Sequence, residues 1–125
     1  MPETGANMKR DTKIDQDILE YENLEKQLEV VLIQKHQLQL QLNEVKHASE
    51  ELKKAKGAIY RSIGSIMMLS DRAEAEKELK DRQELLEVKL NAQSKQEEKL
   101  RDSVMSAQKS LQERMKDYGA AQPGA

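Results

Sequence analysis

With 125 residues the chain is sized for one domain, but no Phe, no Trp and only three Tyr against 35% charged residues argue against a compact globular core. A formal net charge of -2 gives no basic footprint for nucleic acid or an anionic membrane, so protein partners are expected. The lack of cysteine excludes disulfides and thiolate metal sites and fits a reducing compartment. No apolar run nears the roughly 20 residues that span a bilayer, and the polar start MPETGANMKRDTK lacks the apolar centre of a signal peptide. The expected location is the cytoplasm.

Both prolines, Pro2 and Pro123, stand near the ends, so nothing between them removes a helical N–H. Residues 1–13 are polar and aperiodic and are expected to form a flexible N-terminal tail. From Ile14 a heptad begins. Ile14, Tyr21, Leu28, Lys35, Leu42 and Ser49 fall at position a, and Asp17, Leu24, Val31, Leu38, Val45 and Leu52 at position d, a seam that is mostly large and apolar. Ile18, Leu32, Ile33 and Leu40 should widen the stripe. Lys53, Lys54 and Lys56 suit the negative end of a helix dipole, and Gly57 suits a left-handed C′ residue.

The stretch from about 58 to 70, AIYRSIGSIMMLS, does not read as long helix. Two short β-favouring runs flank Gly64-Ser65, and a Gly-X dipeptide at that place predicts a two-residue hairpin turn whose first residue needs positive φ. Such a hairpin is marginal alone, and its unpaired edges invite strands from other chains. Its two faces stay ambiguous, because Arg61 interrupts one apolar row and Ser62 the other.

Asp71 and Glu74 then stand as N-cap and N3 of a second helix. Its seam runs through Leu79, Leu86, Gln93, Leu100 and Ala107, and through Gln83, Leu90, Glu97, Val104 and Leu111, before Gly119 and a flexible tail over 119–125. The expected fold is all-α dominated: a long antiparallel two-helix coiled coil over 14–118, connected by a single β-hairpin. Placing the turn at Gly64 makes facing residue numbers sum to about 128, which pairs Leu42 with Leu86, Leu38 with Leu90, Leu28 with Leu100 and Leu24 with Val104. The middle of the seam is polar, and Lys35 either reaches Glu97 or snorkels to water.

Catalytic, cofactor and metal motifs are not found. Gly57 and Gly64 lack the spacing and the Lys of a phosphate-binding loop. His36 and His47 lie about three helical turns apart, beyond a shared metal shell, and read as solvated histidines. Glu50-Glu51 and Glu97-Glu98 diverge around the helix and read as solubilising charges. An enzyme is not expected. The free end of the arm is unusual, since Ile18, Leu19, Met105 and Met115 fall off the a and d positions while Ile14 and Leu111 close the seam. Flexible Met and Leu there suit adaptable binding of many partners, and the bland alternative is a terminal seam that zips itself shut.

The runs QKHQLQLQLNEVKHASEEL (Gln34 to Leu52), IYRSIGSIMMLS (Ile59 to Ser70) and KQEEKL (Lys95 to Leu100) together resemble the β-type subunit of prefoldin. The single hairpin matches the β class, whereas the α class carries two. The resemblance implies a hexamer of two α-type and four β-type subunits, with hairpins forming an intersubunit β-barrel and coiled coils hanging from it. It further implies an ATP-independent holdase whose tips capture non-native proteins and hand them to a group II chaperonin. The expected client contacts are Ile14, Ile18, Leu19, Met105, Leu111 and Met115, and the expected assembly residues are Ile59, Tyr60, Ile63, Ile66, Met68 and Leu69. The rival expectation is a structural coiled-coil adaptor that dimerises along its helices. The charged N-terminal extension, and Arg114 with Asp117 near the tip, depart from the family pattern.

Overall fold

The computed structural model describes the backbone of residues 2–120 and the side chains of residues 12–117. Helix α1 (Pro2–Lys54) leads into strands β1 (Ile59–Ile63) and β2 (Ile66–Ser70), and helix α2 (Arg72–Ala120) follows. The expected order of helix, single hairpin and helix is therefore present.

The helix starts earlier than its apolar period suggests. Proline is tolerated in a first turn, where its missing N–H has no partner to lose, so Pro2 opens α1 well before Ile14. Heptad spacing reports where a helix has a neighbour, not where its backbone begins. At the other end α2 passes Gly119 to Ala120, and the remaining residues of the expected 119–125 tail lie outside the described set, as does Met1.

The chain divides into two compact units, one of Ile33–Ser94 and one of Met1–Leu32 with Lys95–Ala125. In the Ile33–Ser94 unit, Leu42, Val45 and Leu86 form a buried cluster against which Leu38, Leu79 and Leu90 pack. Each occupies a predicted seam position, and the cluster holds both members of the Leu42–Leu86 and Leu38–Leu90 rungs. Lys35 and Gln93 are half-buried in the same seam, and Gln93 Oε1 is buried without a hydrogen-bond donor among the described residues. In the second unit Val31 and Leu100 are buried, with Leu24, Leu28 and Val104 half-buried. The expected widening of the stripe fails at Leu32, Ile33 and Leu40, which are exposed. Ile18 alone of the four is half-buried; the buried apolar residues all stand at a or d, because the two described helices leave the neighbouring positions without a third to cover them.

The neck between coiled coil and hairpin is closed by side chains the heptad pattern does not reveal. Gly57 is left-handed, at φ 91°, but stands beyond the last helical residue Lys54. The carbonyls at the end of α1 are instead met by Arg72, the first residue of α2. Its Nη1 donates to Leu52 O at 2.9 Å and its Nη2 to Ala55 O. A guanidinium carries several donors in a rigid fork, so one side chain serves two acceptors and displaces the glycine cap. Asp71 takes the N-cap position as expected, its carbonyl accepting the N–H of Ala75 at 3.0 Å.

This packing predicts a sharp contrast between near neighbours. Leu42→Ala, at a position 3% exposed, should cost about 2–5 kcal/mol in urea unfolding followed by circular dichroism. Leu40→Ala, at a position 50% exposed, should change stability by less than about 0.5 kcal/mol at the same protein concentration.

Candidate functional site

The hairpin is built around one glycine. Gly64 has φ 60° while Ser65 keeps an ordinary negative φ, the pattern of a two-residue turn whose first central residue must be left-handed. The strands pair antiparallel with Ile63 opposite Ile66, Arg61 opposite Met68 and Ile59 opposite Ser70, while Tyr60 faces Leu69 and Ser62 faces Met67. Residues alternate between faces along a strand, so Ile59, Arg61, Ile63, Ile66, Met68 and Ser70 share one face. Tyr60, Ser62, Met67 and Leu69 share the other.

Little of this apolar surface is covered within the chain. Tyr60, Ile63, Ile66, Met67, Met68 and Leu69 are 51–72% exposed, and only Ile59 of the expected assembly residues is half-buried. The sheet has two strands, so each has an outer edge with backbone groups free to pair. Met67 was not among the residues singled out from sequence, although it is as exposed as its neighbours; the alternation of the ladder is what would have found it. Arg61 forms an ion pair with Glu78 of α2, joining the hairpin to the coiled coil. An open cleft of about 720 Å³ lies between β1 and the helix faces that carry Ala48, Leu52, Ala75 and Leu79.

The expected client contacts all fall in the unit formed by Met1–Leu32 with Lys95–Ala125, and they split by exposure. Leu19, Met105 and Met115 are 64%, 67% and 54% exposed, whereas Ile14, Ile18 and Leu111 are half-buried. Between the seam residues lies an ion pair the sequence reading missed. Asp17 Oδ2 stands 2.8 Å from Arg114 Nη1, with both side chains partly covered and the contact off the direction of a linear hydrogen bond. Asp17 occupies a d position and Arg114 follows Leu111 by three, so both point into the seam. Glu97 is paired with Arg101 one turn on, at 2.8 Å. Partial burial, the charge of Glu25 and a hydrogen bond to it raise the Tyr21 phenol above its ordinary value of 10.0, so Tyr21 carries no charge at neutral pH.

Among the described residues no three of His, Cys, Asp and Glu are placed to share a metal ion, and His36 and His47 are exposed. No helix among them is long and apolar enough to cross a membrane. What the geometry does offer is backbone pairing at the hairpin edges and adaptable apolar contact elsewhere.

The Asp17–Arg114 contact gives a direct prediction. Asp17→Arg alone should lower the thermal midpoint read by circular dichroism, and adding Arg114→Asp should recover most of the loss, with a coupling of about 1 kcal/mol.

Comparison with known proteins matches these features throughout. Residues 15–118 fit the family described as prefoldin subunit. The prefoldin subunit beta of Thermococcus onnurineus (strain NA1) is 39% identical over 93 residues, covering 73% of this chain and 80% of that protein. The prefoldin subunit beta of Pyrococcus furiosus is 36% identical over 93 residues, covering 73% of this chain and 80% of that protein. The crystal structure of the prefoldin beta subunit from Thermococcus strain KS-1 superposes with a TM-score of 0.76 at 30% identity, covering 81% of this chain and 90% of that one. Heptad seams, a single glycine-turned hairpin and sequence kinship thus agree, and the chain belongs to the prefoldin family of chaperone subunits, in its beta class.

Proposed function

We propose that this prefoldin subunit acts as part of an ATP-independent holdase in the cytoplasm. Two α-type and four β-type subunits join through their hairpins into a β-barrel body, and the coiled coils hold non-native polypeptides until a group II chaperonin takes them. The observation that carries this reading is the hairpin itself. Six large apolar side chains are more than half exposed on a two-stranded sheet with both outer edges open, which is an incomplete structure in water. Strands of sibling subunits complete it by backbone pairing along its open edges and by covering one of its two apolar faces, drawn from among Ile59, Tyr60, Ile63, Ile66, Met68 and Leu69.

Client capture is assigned to Ile14, Ile18, Leu19, Met105, Leu111 and Met115. The three exposed members make first contact, and Met and Leu adapt to many client sequences because their side chains are flexible and carry no directional partner. Each contact is weak. Several arms on one client combine through effective concentration into useful avidity, and separately reversible contacts let a chaperonin compete for the load without nucleotide hydrolysis.

Two measurements test the reading. Tyr60→Asp with Leu69→Asp, a facing pair on the ladder, should convert the complex formed with an α-type partner into free chains by native mass measurement, with helical content kept. An unchanged mass both for this variant and for Ile63→Asp with Ile66→Asp, the facing pair on the opposite face, would remove the hairpin from assembly. Leu19→Ser with Met115→Ser in the intact complex should at least halve protection of a chemically unfolded protein against aggregation. Full protection would remove these side chains from client capture.

A further inference from the structure

The alternation of the hairpin leaves open which face turns inward when subunits assemble, and apolar content does not decide it. Three large apolar side chains are exposed on each face: Ile63, Ile66 and Met68 on one, Tyr60, Met67 and Leu69 on the other. Charge separates them. Arg61 sits on the first face and pairs with Glu78, whereas Tyr60, Ser62, Met67 and Leu69 include no charged group.

The interior of a small barrel is packed side chain to side chain, so a guanidinium placed there must keep its counter-ion or lose its hydration uncompensated. Glu78 cannot follow Arg61 inward, because it is fixed on α2, outside the sheet. The foot of the ladder points the same way. The facing pair Ile59 and Ser70, on the Arg61 face, is half-buried, while the next pair, Tyr60 and Leu69, is 60% and 72% exposed. The half-burial of Ile59 and Ser70 and the Arg61–Glu78 pair thus turn the Arg61 face toward the chain's own helices, while the cleft beside β1 is lined from both faces, by Ile59, Arg61 and Ile63 and also by Tyr60 and Ser62.

Resting on the proposal that hairpins carry assembly, we infer that the Tyr60–Met67–Leu69 face is the inner, subunit-packing face and that the Arg61–Glu78 pair holds the opposite face outward. The occupant of the inner face is the hairpin of a neighbouring subunit, itself open-edged and presenting an uncharged apolar face. The edges that accept its strand run continuously into this surface, so backbone pairing and face packing are made by the same neighbour. The assembly residues read from sequence then divide: Tyr60 and Leu69 pack inside, and Ile63, Ile66 and Met68 lie on the outer side.

Met67 and Met68 are adjacent, chemically identical and on opposite faces, which makes them a matched pair for the test. In the complex with an α-type partner, Met67→Asp should lower the assembled fraction at least tenfold by native mass measurement, while Met68→Asp leaves it within twofold of the parent. As the parent has no cysteine, Met67→Cys and Met68→Cys give a second readout that does not depend on tolerance of a charge. In the assembled complex a maleimide should modify Met68→Cys at least tenfold faster than Met67→Cys. Equal effects, or the reverse order in either experiment, would overturn the assignment of faces while leaving hairpin assembly in place. If neither Asp variant altered the mass and both thiols reacted at the rate of an exposed cysteine, hairpin assembly itself would fall, and the face assignment with it.

Discussion

A two-stranded sheet has no inside. Each strand of this hairpin pairs with one neighbour only, and neither face is covered by a second layer, so backbone edges and apolar side chains are both left to water. Everything else in the chain follows from supplying what that sheet lacks. The helices give it a mount, Arg72 closes the neck on which it stands, and Arg61 ties one of its faces to α2. In the proposed assembly, strands of sibling subunits complete it, which turns a local deficit into a rule for association.

The coiled coil shows the opposite economy. Its seam is self-sufficient where leucines meet, as in the cluster of Leu42, Val45 and Leu86, and it admits polar residues at Asp17, Lys35, Gln93, Glu97 and Arg114. Polar seam positions sacrifice some stability and specify how the helices are matched. Asp17 and Arg114 illustrate this, since each would be an unpaired, half-covered charge without the other. An apolar seam would hold more firmly, but it would slide between registers with less resistance.

Much of this was legible in the sequence because the relevant physics is periodic. Every described position predicted at a or d is buried or half-buried in both helices, from Ile14 to Leu52 and from Leu79 to Leu111. Gly64 announced its turn because few other residues reach positive φ without strain. What escaped was not periodic. Arg72 and Arg114 act through long side chains whose partners are remote in sequence, and an arginine in a charged helix looks like any other solubilising charge. Leu32, Ile33 and Leu40 misled because an apolar residue beside a seam resembles part of it, and only the number of packed helices decides. The start of α1 at Pro2 escaped because residues 2–13 are polar and aperiodic in sequence, so no heptad marks them as helix. The proposed orientation of the hairpin rests on the Arg61–Glu78 contact, since alternation alone treats its faces as equals.

A seam one side chain deep also has a temporal meaning. Among the described residues no side chain is withdrawn completely from solvent, so each rung can part from its neighbours without dismantling a shared interior. Local opening is correspondingly easy, and proteases act on the opened fraction. A sheet whose edges stay unpaired adds to that opened fraction, and pairing its strands would lower it.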